Sequence, residues 1–428
     1  MVFRKITFTA AFVLLIFSAL QAQNTKELKK AVRHLSSPAL HGRGYVKNGD
    51  AKAAGYIVKR MKKSGLKPCF ENYKQNYAFE VNTFPGKMQV AVDDISLQPG
   101  LDFIIHPATA SLQKNFELVW LPDTLTQAGS VYSFIDTASI GKDKIVVVPD
   151  GVKNAWRYGI SGVHSLVQRD KGRLWWHVAR NQLPEGTVRM RIAEEKLPKT
   201  AKQLSINLEA RFQQQHQASN IAGFVAGIQQ PDSIILFLAH YDHLGRMGKD
   251  TYFPGASDNA SGTAFVLDLA SYYASHPEDA RYTMMFLLVS GEEAGLLGSR
   301  YFAANAPFDL GKVVFAINFD MVGTGSEGIT VINAKQLPYH FEMLNDINQG
   351  ENLFTKVVER GESCNSDHCP FYEKGVPSFF IHTQGPENQH YHDVGDKSAA
   401  LPFSKHEALF RLITSFSKQL SQKPHKRF

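Results

Sequence analysis

The sequence predicts an α/β fold in which a mixed, mostly parallel sheet is flanked by helices and carries an inserted, mostly-β lobe. Four near-continuous apolar runs of strand length lie in the second half of the chain, at residues 234–239, 282–289, 313–317 and 377–381. Helical stretches lie between and after these runs, at residues 261–274, 296–304, 337–348 and 403–420. Because strands that are apolar along their whole length are covered on both faces, this alternation predicts a sheet buried between layers of helices.

The first half of the chain has a different pattern. Residues 25–35 and 51–66 have helical periodicity, and Gly65 provides a stop signal for the second helix. From residue 84 to residue 217, short alternating runs are separated by Pro, Gly and Asp, which is typical of strands and turns. We therefore expect residues 24–83 and 218–428 to form one domain, and residues 84–217 to form a β-rich lobe inserted into it.

The N-terminus has the pattern of a secretory signal peptide over residues 1–22. Arg4 and Lys5 precede an apolar run at residues 6–20, and the small residue Ala22 follows that run. The run is shorter than the ~20 residues that span a bilayer, and no cysteine follows it as a lipid attachment site. We therefore expect an exported protein, periplasmic or secreted, without stable membrane insertion after the signal is removed. An uncleaved N-terminal anchor is the alternative.

Composition restricts the classes of function. The 428 residues are 43% hydrophobic and 20% charged, which excludes a disordered chain. Lys and Arg outnumber Asp and Glu by 47 to 40, but no block of like charges occurs, so we expect no nucleic-acid partner. Of the three cysteines, Cys364 and Cys369 are close enough to close a small loop in an oxidising compartment. The alternatives for this pair are a disulfide and two free thiols.

Carboxylates and imidazoles follow each of the four predicted strands, and one more carboxylate opens the helix between the first two. In chain order, these residues are His240, Asp242, His243, Asp258, Glu292, Glu293, Asp320, His390 and His392. In sheets of this kind, ligands bind just beyond the carboxyl ends of the strands. Any one of these segments alone would be an ordinary loop charge or helix cap, but five of them at one edge predict a metal site.

The types and number of these side chains indicate two zinc ions. Imidazole and carboxylate ligands without a thiolate suit zinc or another divalent ion. The carboxylates of Asp258, Glu293 and Asp320, together with one hydroxide, would balance the charge of two Zn²⁺ ions. Neighbouring side chains in extended backbone point in opposite directions, so one of Glu292 and Glu293 is expected to bind metal and the other to act as general base.

Two further carboxylates are predicted to orient the histidines. Asp242 lies two residues after His240 and is expected to hold the second nitrogen of that imidazole, which fixes its tautomer. Asp396, four residues after His392, is placed to do the same for that ring. On this reasoning His390 competes with His392 as the ligand.

These residues resemble the motifs of the M28 family of zinc aminopeptidases. The matching segments follow the family's order between residues 219 and 397. They are His240-Tyr-Asp242, Gly255-Ala-Ser-Asp258-Asn-Ala-Ser-Gly262, Gly291-Glu-Glu-Ala-Gly-Leu-Leu-Gly-Ser299, Asn318-Phe-Asp320-Met, and Tyr391-His392 with Asp396. The resemblance implies a zinc-exopeptidase fold, in which the 84–217 lobe corresponds to a degenerate form of the protease-associated domain of some members.

The resemblance also implies a particular arrangement of the metal ligands. Asp258 matches the carboxylate that bridges the two zinc ions, and the peptide bond that joins it to Asn259 is cis in the family. The remaining ligands that it implies are, for one ion, His240 and Asp320, and for the other ion, Glu293 and His392.

The resemblance further implies the catalytic residues and the activity. Glu292 matches the general base that acts on the metal-bridging water, Asp242 the carboxylate that orients a histidine, and Tyr391 a candidate to stabilise the oxyanion. We therefore expect an exported dinuclear zinc exopeptidase that hydrolyses peptide bonds, with aminopeptidase action as the leading hypothesis. Dipeptidase and carboxypeptidase action fit the same metal chemistry.

Two other hypotheses fit parts of the pattern. A glutaminyl-peptide cyclotransferase of the same fold would use a single zinc, although such enzymes tend to depart from the Asp258-Asn259 pair that is kept here. A binding module that has kept the fold and lost catalysis is the other alternative. Retention of all five predicted ligands and of Glu292 argues against it.

Overall fold

The structure is a computed structural model that describes residues 25–125, 140–152, 155–160, 163–387 and 389–422. The predicted signal peptide at residues 1–22 lies outside the described residues. The strands are β1 (Lys67–Pro68), β2 (Lys74–Thr83), β3 (Met88–Val92), β4 (Ile95–Leu97), β5 (Phe103–Ile105), β6 (Leu112–Trp120), β7 (Lys144–Val148), β8 (Leu166–Asp170), β9 (Arg189–Ala193), β10 (Gln203–Leu208), β11 (Arg211–Val225), β12 (Gln230–His240), β13 (Arg246–Met247), β14 (Thr251–Tyr252), β15 (Tyr282–Val289), β16 (Val313–Phe319), β17 (Gly328–Ile332), β18 (Val357–Glu359) and β19 (Ser378–Gln384). The α-helices are α1 (25–35), α2 (Gly49–Ser64), α3 (Ala155–Tyr158), α4 (Gly262–Ser275), α5 (Leu297–Ala304), α6 (Pro338–Glu351), α7 (Cys369–Tyr372) and α8 (His406–Leu420).

The larger sheet has nine strands in the order β1-β11-β15-β12-β16-β19-β17-β18, with β2 paired to β11 outside this path. The central strands β15, β12, β16 and β19 are parallel to one another. Antiparallel pairing occurs where β11 joins β15 and where β17 joins β19. The predicted α/β fold with a mixed sheet is therefore confirmed, and its parallel part is the centre. The carboxyl ends of these four strands all lie at one edge, which collects the residues that follow them.

Helices cover both faces of this sheet. Successive residues of β12 point to opposite layers, so that Ile235 and Phe237 join one apolar core while Leu236 and Leu238 join another. The first core includes residues of α1, α2, α4, α6 and α8, and the second includes Phe302 of α5. No helix in the described part of the chain combines the length and the apolarity that crossing a membrane requires.

A second sheet forms the lobe. It has eight strands in the order β4-β3-β10-β6-β7-β8-β9-β5, and it is mostly antiparallel at its two ends and parallel between β6 and β9. Its apolar core also contains Leu244, Met247 and Phe253, which belong to the segment that follows β12 in the larger sheet. The lobe is therefore packed around a loop that leaves the edge where the predicted metal ligands lie.

The lobe is shorter than the sequence predicts at its C-terminal end. The predicted boundary after residue 217 falls inside β11, a continuous strand. The first part of β11 pairs with β2, and residues Ile221–Val225 pair with β15 of the larger sheet. The last strand of the lobe sheet is β10, which ends at Leu208. The strand pairing therefore assigns residues 211–217 to the larger sheet.

A disulfide joins Cys364 and Cys369, and Cys69 is the free cysteine. We predict that the denatured, unreduced protein presents one thiol to a thiol reagent, and that full reduction raises this count to three. In the folded protein, burial raises the pKa of the Cys69 thiol to about 11, so this thiol should react slowly. A count of three thiols without reduction would contradict the disulfide.

Candidate metal centre

The predicted ligands meet in one cavity at the carboxyl edge of the larger sheet. His240 ends β12, and Glu292, Asp320 and His392 lie in the loops after β15, β16 and β19. Asp258 lies in a π-helical turn, Ala256–Ser261, which leads into α4. The cavity has a volume of about 230 Å³ and is lined by His240, Asp258, Glu292, Glu293, Asp320, Met321, Asn365, Phe380, His382, Tyr391 and His392.

Asp258 lies between two histidines. Its Oδ1 is 3.3 Å from Nε2 of His240, and its Oδ2 is 3.0 Å from Nε2 of His392. The same nitrogen of His240 is 3.4 Å from Oδ2 of Asp320, and that of His392 is 3.3 Å from Oε2 of Glu293. The peptide bond between Asp258 and Asn259 is cis. The five predicted ligands thus form two clusters that share one carboxylate.

The spacing of these atoms fits metal coordination. Ligands at 2.0–2.1 Å from a tetrahedral zinc ion lie about 3.3–3.4 Å apart along each edge of the tetrahedron. Three of the four nitrogen–oxygen distances have this length, and the fourth is 3.0 Å. Oδ1 of Asp320 is buried and has no hydrogen-bond partner among the described residues. These two imidazole and three carboxylate groups are therefore suited to hold divalent cations such as zinc.

The pKa values show how the site responds when no cation is bound. Burial lowers the pKa of His240, but Asp320 and Glu292 outweigh this and raise it well above the ordinary value. Burial also opposes the charge of His392, yet Glu293 and Asp258 raise its pKa to about 9. Both imidazoles therefore carry protons in place of a cation, and binding a metal must release those protons.

The two adjacent glutamates face different clusters, as the alternation of side chains predicts. The ligand atoms of Glu292, His240 and Asp320 all lie within 4.8 Å of one another. Glu293 instead faces His392. Burial raises the pKa of Glu292 well above its usual range, and Glu293 adds to the shift although His240 opposes it. Glu292 thus lies beside His240 and Asp320, whereas Glu293 lies beside His392.

The prediction that the Asp242 carboxylate orients His240 is wrong. Nδ1 of His240 is 3.2 Å from the main-chain oxygen of Asp242 and 3.8 Å from its carboxylate. The carboxylate turns away because it accepts hydrogen bonds from the Tyr45 hydroxyl and from the main-chain N–H groups of Glu292 and Glu293. Burial raises the pKa of Asp242 to about 6. Its side chain therefore fixes the backbone of the two glutamates.

The prediction that Asp396 orients His392 is also wrong. The Asp396 carboxylate accepts hydrogen bonds from the main-chain N–H groups of Ser257 and Asp258, at 2.9–3.0 Å. The turn that carries Asp258 offers these two N–H donors to the Asp396 carboxylate. Nδ1 of His392 instead lies 2.9 Å from the main-chain oxygen of Trp176. Spacing in sequence identified a supporting carboxylate but not the group that it supports.

The other histidines are now assigned to distinct positions. His390 bonds to Asp393 at 2.9 Å and is not among the cavity-lining residues, so His392 is the histidine at the site. Nδ1 of His243 is 2.7 Å from Oε1 of Glu293, which is the length of a hydrogen bond and shorter than a coordination edge. His243 therefore supports Glu293 through this hydrogen bond. His382, in β19, also lines the cavity.

Tyr391 lies at the mouth of the cavity. Its ring stacks on that of His392, with centroids 4.0 Å apart and an interplanar angle of 14°. The residue lines the cavity and is 51% exposed. The predicted part for the Tyr391 hydroxyl in stabilising an oxyanion stays a prediction.

Ser366 supports the site, although the sequence around it does not indicate this role. Its hydroxyl donates to Oδ2 of Asp320 at 3.1 Å and accepts a hydrogen bond from Nδ2 of Asn318 at 2.8 Å. Asp320 therefore presents one oxygen that is held by Ser366 and one that has no hydrogen-bond partner among the described residues. Only the fold shows this contact, because Ser366 is 46 residues away from Asp320.

Arg43 is a second supporting residue, and it is fully buried. Its guanidinium donates five hydrogen bonds, all to main-chain oxygens, of which one belongs to Asp258. The acceptors are Leu35, Tyr241, Pro254, Gly255 and Asp258, at 2.6–3.2 Å. Burial lowers its pKa to about 10, while Asp258 and Asp396 act to raise it. The sequence signal for this close packing is the pair of flanking glycines, Gly42 and Gly44, where a Cβ would collide with the backbone of the Gly245 loop.

Comparisons with known proteins agree with this site. Residues 220–417 match the sequence model described as Peptidase family M28. Aminopeptidase YwaD of Bacillus subtilis (strain 168) is 27% identical over 305 residues, which are 68% of this chain and 64% of that protein. The chain thus spans about two thirds of the length of this curated relative.

Two solved structures share the fold over almost the whole chain. BSAP, a zinc aminopeptidase from Bacillus subtilis, is 20% identical with a TM-score of 0.68, and the match covers 92% of this chain and 94% of that one. The Peptidase M28 precursor from Shewanella amazonensis SB2B is 16% identical with a TM-score of 0.65, covering 95% of this chain and 98% of that one. The likeness in fold therefore includes the lobe.

We predict that Arg43→Lys destabilises the protein by about 3 kcal/mol or more, because an ammonium has three donors for five buried main-chain oxygens. The free energy of unfolding from urea titration measures this. Arg300→Lys is the matched control, since Arg300 is exposed and pairs with Glu373, and it should change stability by less than about 0.5 kcal/mol. Equal losses in the two variants would contradict the role of Arg43.

Proposed function

We propose that this chain, whose residues 220–417 match the model of Peptidase family M28, is a zinc aminopeptidase that uses two zinc ions. The observation that carries the proposal is the Asp258 carboxylate, whose two oxygens face two different histidines at 3.3 and 3.0 Å. A carboxylate in this position can bridge two cations. The names of relatives such as aminopeptidase YwaD support the aminopeptidase activity.

Two sets of residues would hold the ions. His240 and Asp320 would bind one, Glu293 and His392 the other, and Asp258 both. When bound, zinc polarises the scissile carbonyl and lowers the pKa of water, which makes water a usable nucleophile near neutral pH. Tyr45, Asp242 and Arg43 keep the backbone of this ligand set in place through the hydrogen bonds described above.

Glu292 is the general base in this proposal. Its carboxylate takes a proton from the attacking water, whose oxygen forms a bond to the carbonyl carbon of the substrate. The carbon–nitrogen bond then breaks, and Glu292 passes the proton to the nitrogen of the leaving amine. The position of Glu292 at the cavity wall, beside His240 and Asp320, supports this assignment.

The surroundings of the cavity favour a substrate with a free α-amine. Asp258, Glu293, Asp320 and a hydroxide would balance the charge of the two ions, so the Glu292 carboxylate leaves the lining with a negative charge that attracts an ammonium group. Tyr391 extends over His392 at the mouth, where its hydroxyl can donate to the developing oxyanion. These features support a substrate whose free amino terminus, rather than an internal bond, lies at the reacting position. The predicted signal at residues 1–22 adds the proposal that the enzyme acts after export, in the periplasm or outside the cell.

We predict that Glu292→Gln keeps the metal content of the wild type and lowers turnover by about 10²–10⁴-fold, because Gln preserves the shape and cannot accept the proton. The measurements are hydrolysis of aminoacyl p-nitroanilides and zinc content by elemental analysis. Glu278→Gln, at an exposed turn far from the cavity, is the matched control and should leave both values unchanged. Wild-type turnover in Glu292→Gln would show that the base is assigned wrongly.

We predict two zinc ions per chain, and loss of activity when a chelator removes them. Peptides with free and with acetylated amino termini distinguish the modes of action, since only the free amine should support hydrolysis by an aminopeptidase. One zinc per chain, together with cyclisation of N-terminal glutamine, would instead favour the glutaminyl-peptide cyclotransferase.

A further inference from the structure

We propose that the lobe completes the metal centre, because its residue Trp176 positions His392 and so sets the affinity of the metal site that contains His392. Trp176 is a positioning residue in this proposal. The inference rests on the proposed function in one respect, namely that His392 binds a cation. It gives the lobe a part in metal binding that the ligand motifs themselves do not contain.

Two hydrogen bonds join the lobe segment to His392. Nδ1 of His392 lies 2.9 Å from the main-chain oxygen of Trp176, and the main-chain N–H of Trp176 donates to the main-chain oxygen of His392, also at 2.9 Å. The carbonyl oxygen can only accept, so the imidazole carries a proton on Nδ1. In the neutral ring, the lone pair is then on Nε2, which is the atom that faces Asp258 and Glu293.

Trp176 is itself fixed from within the lobe. Its indole N–H donates to the main-chain oxygen of Ile105 in β5 at 2.8 Å. Its ring stacks on Phe253, with centroids 4.9 Å apart, and contacts Phe84 at 5.9 Å. The side chain is 3% exposed. The position of the Trp176 carbonyl is therefore determined by the packing of the lobe core.

The next residue of the lobe packs directly on the ligand ring. The His177 ring meets that of His392 edge to face, with centroids 5.7 Å apart and an interplanar angle of 80°. His177 is stacked on Trp156 and abuts Trp175, both of which belong to the lobe. Tyr391 covers another side of His392. The ring thus has little freedom to turn while the lobe is in place.

The two histidine ligands are supported in different ways. Nδ1 of His240 is 3.2 Å from the main-chain oxygen of Asp242, which is two residues away on the same loop. The support of His392 comes from a residue 216 positions earlier in the chain. His392 also has a φ of 52°, which is uncommon outside glycine and makes the contacts on its carbonyl important. A disturbance of the lobe should therefore affect one metal site and spare the other.

The test compares zinc binding by the full-length wild type and by Trp176→Ala, using competition with a chromophoric chelator. The wild type should bind two zinc ions tightly. In Trp176→Ala, one zinc should bind about 10–100-fold more weakly, and the other should keep its affinity. Trp176→Phe retains a ring to stack on Phe253 and should recover part of the loss. A purely structural role would not weaken one site selectively.

Trp120→Ala is the matched control. Trp120 is another lobe tryptophan whose indole N–H bonds a main-chain oxygen, that of Ala201 at 3.0 Å, but it lies away from the cavity. This variant should bind both zinc ions as the wild type does. Unchanged binding of both ions by Trp176→Ala, or equal weakening of both, would overturn the inference. A wild type that binds no zinc would instead refute the proposed function.

A second measurement needs no variant. The orientation of His392 and the binding of zinc are linked. Zinc binding must therefore stabilise the contact between His392 and Trp176 by the same free energy by which that contact stabilises zinc binding. Hydrogen–deuterium exchange of the wild type should therefore slow at the Trp176 amide when zinc is added to the metal-free protein, and stay constant around Trp120. Equal exchange at Trp176 with and without zinc would overturn the inference even if Trp176→Ala failed to fold.

Discussion

The interaction on which the rest of the structure depends is the sharing of the Asp258 carboxylate between His240 and His392. Both histidines end up close to one buried carboxylate only if the exit of β12 and the loop after β19 converge on the turn before α4. Buried charges are costly unless they are paired, so this cluster is stable only with protons or cations among the carboxylates. The sheet brings the groups together, and the need for compensating charge determines what the site can bind.

Much of the support for Asp258 acts on its backbone rather than its carboxylate. Arg43 binds its main-chain oxygen, and Asp396 accepts from its N–H. Asn259 donates to the main-chain oxygen of Phe319 at the end of β16 and accepts from Gly262 at the start of α4. Three segments distant in sequence therefore fix one turn. The carboxylate stays free for its two histidines because these backbone contacts hold the turn without using it.

The sheet and the residues that meet in the cavity are predictable from the sequence because both are encoded locally. Each central strand is an apolar run that ends at a polar group, as Val289 is followed within four residues by Glu292 and Glu293. The direction of a hydrogen bond is not encoded in this way. Asp242 and Asp396 were recognised as supporting carboxylates, yet both bind backbone N–H groups because the loops around them present those donors. The residue that orients His392 was missed because Trp176 supplies a backbone oxygen, which every residue type possesses.

Arg43 has a consequence for the order in which the chain can fold. Its five acceptors begin at Leu35 and end at Asp258, which lies 215 residues after Arg43 in the chain. The ribosome must therefore synthesise the lobe and β12 before the Arg43 guanidinium can be buried with all five acceptors. The N-terminal helices that pack beside Arg43 cannot complete their contacts until the segment up to Asp258 has been synthesised. For the same reason, a fragment cut to residues 220–417 would leave the carbonyl groups of Tyr241, Pro254, Gly255 and Asp258 without their common donor.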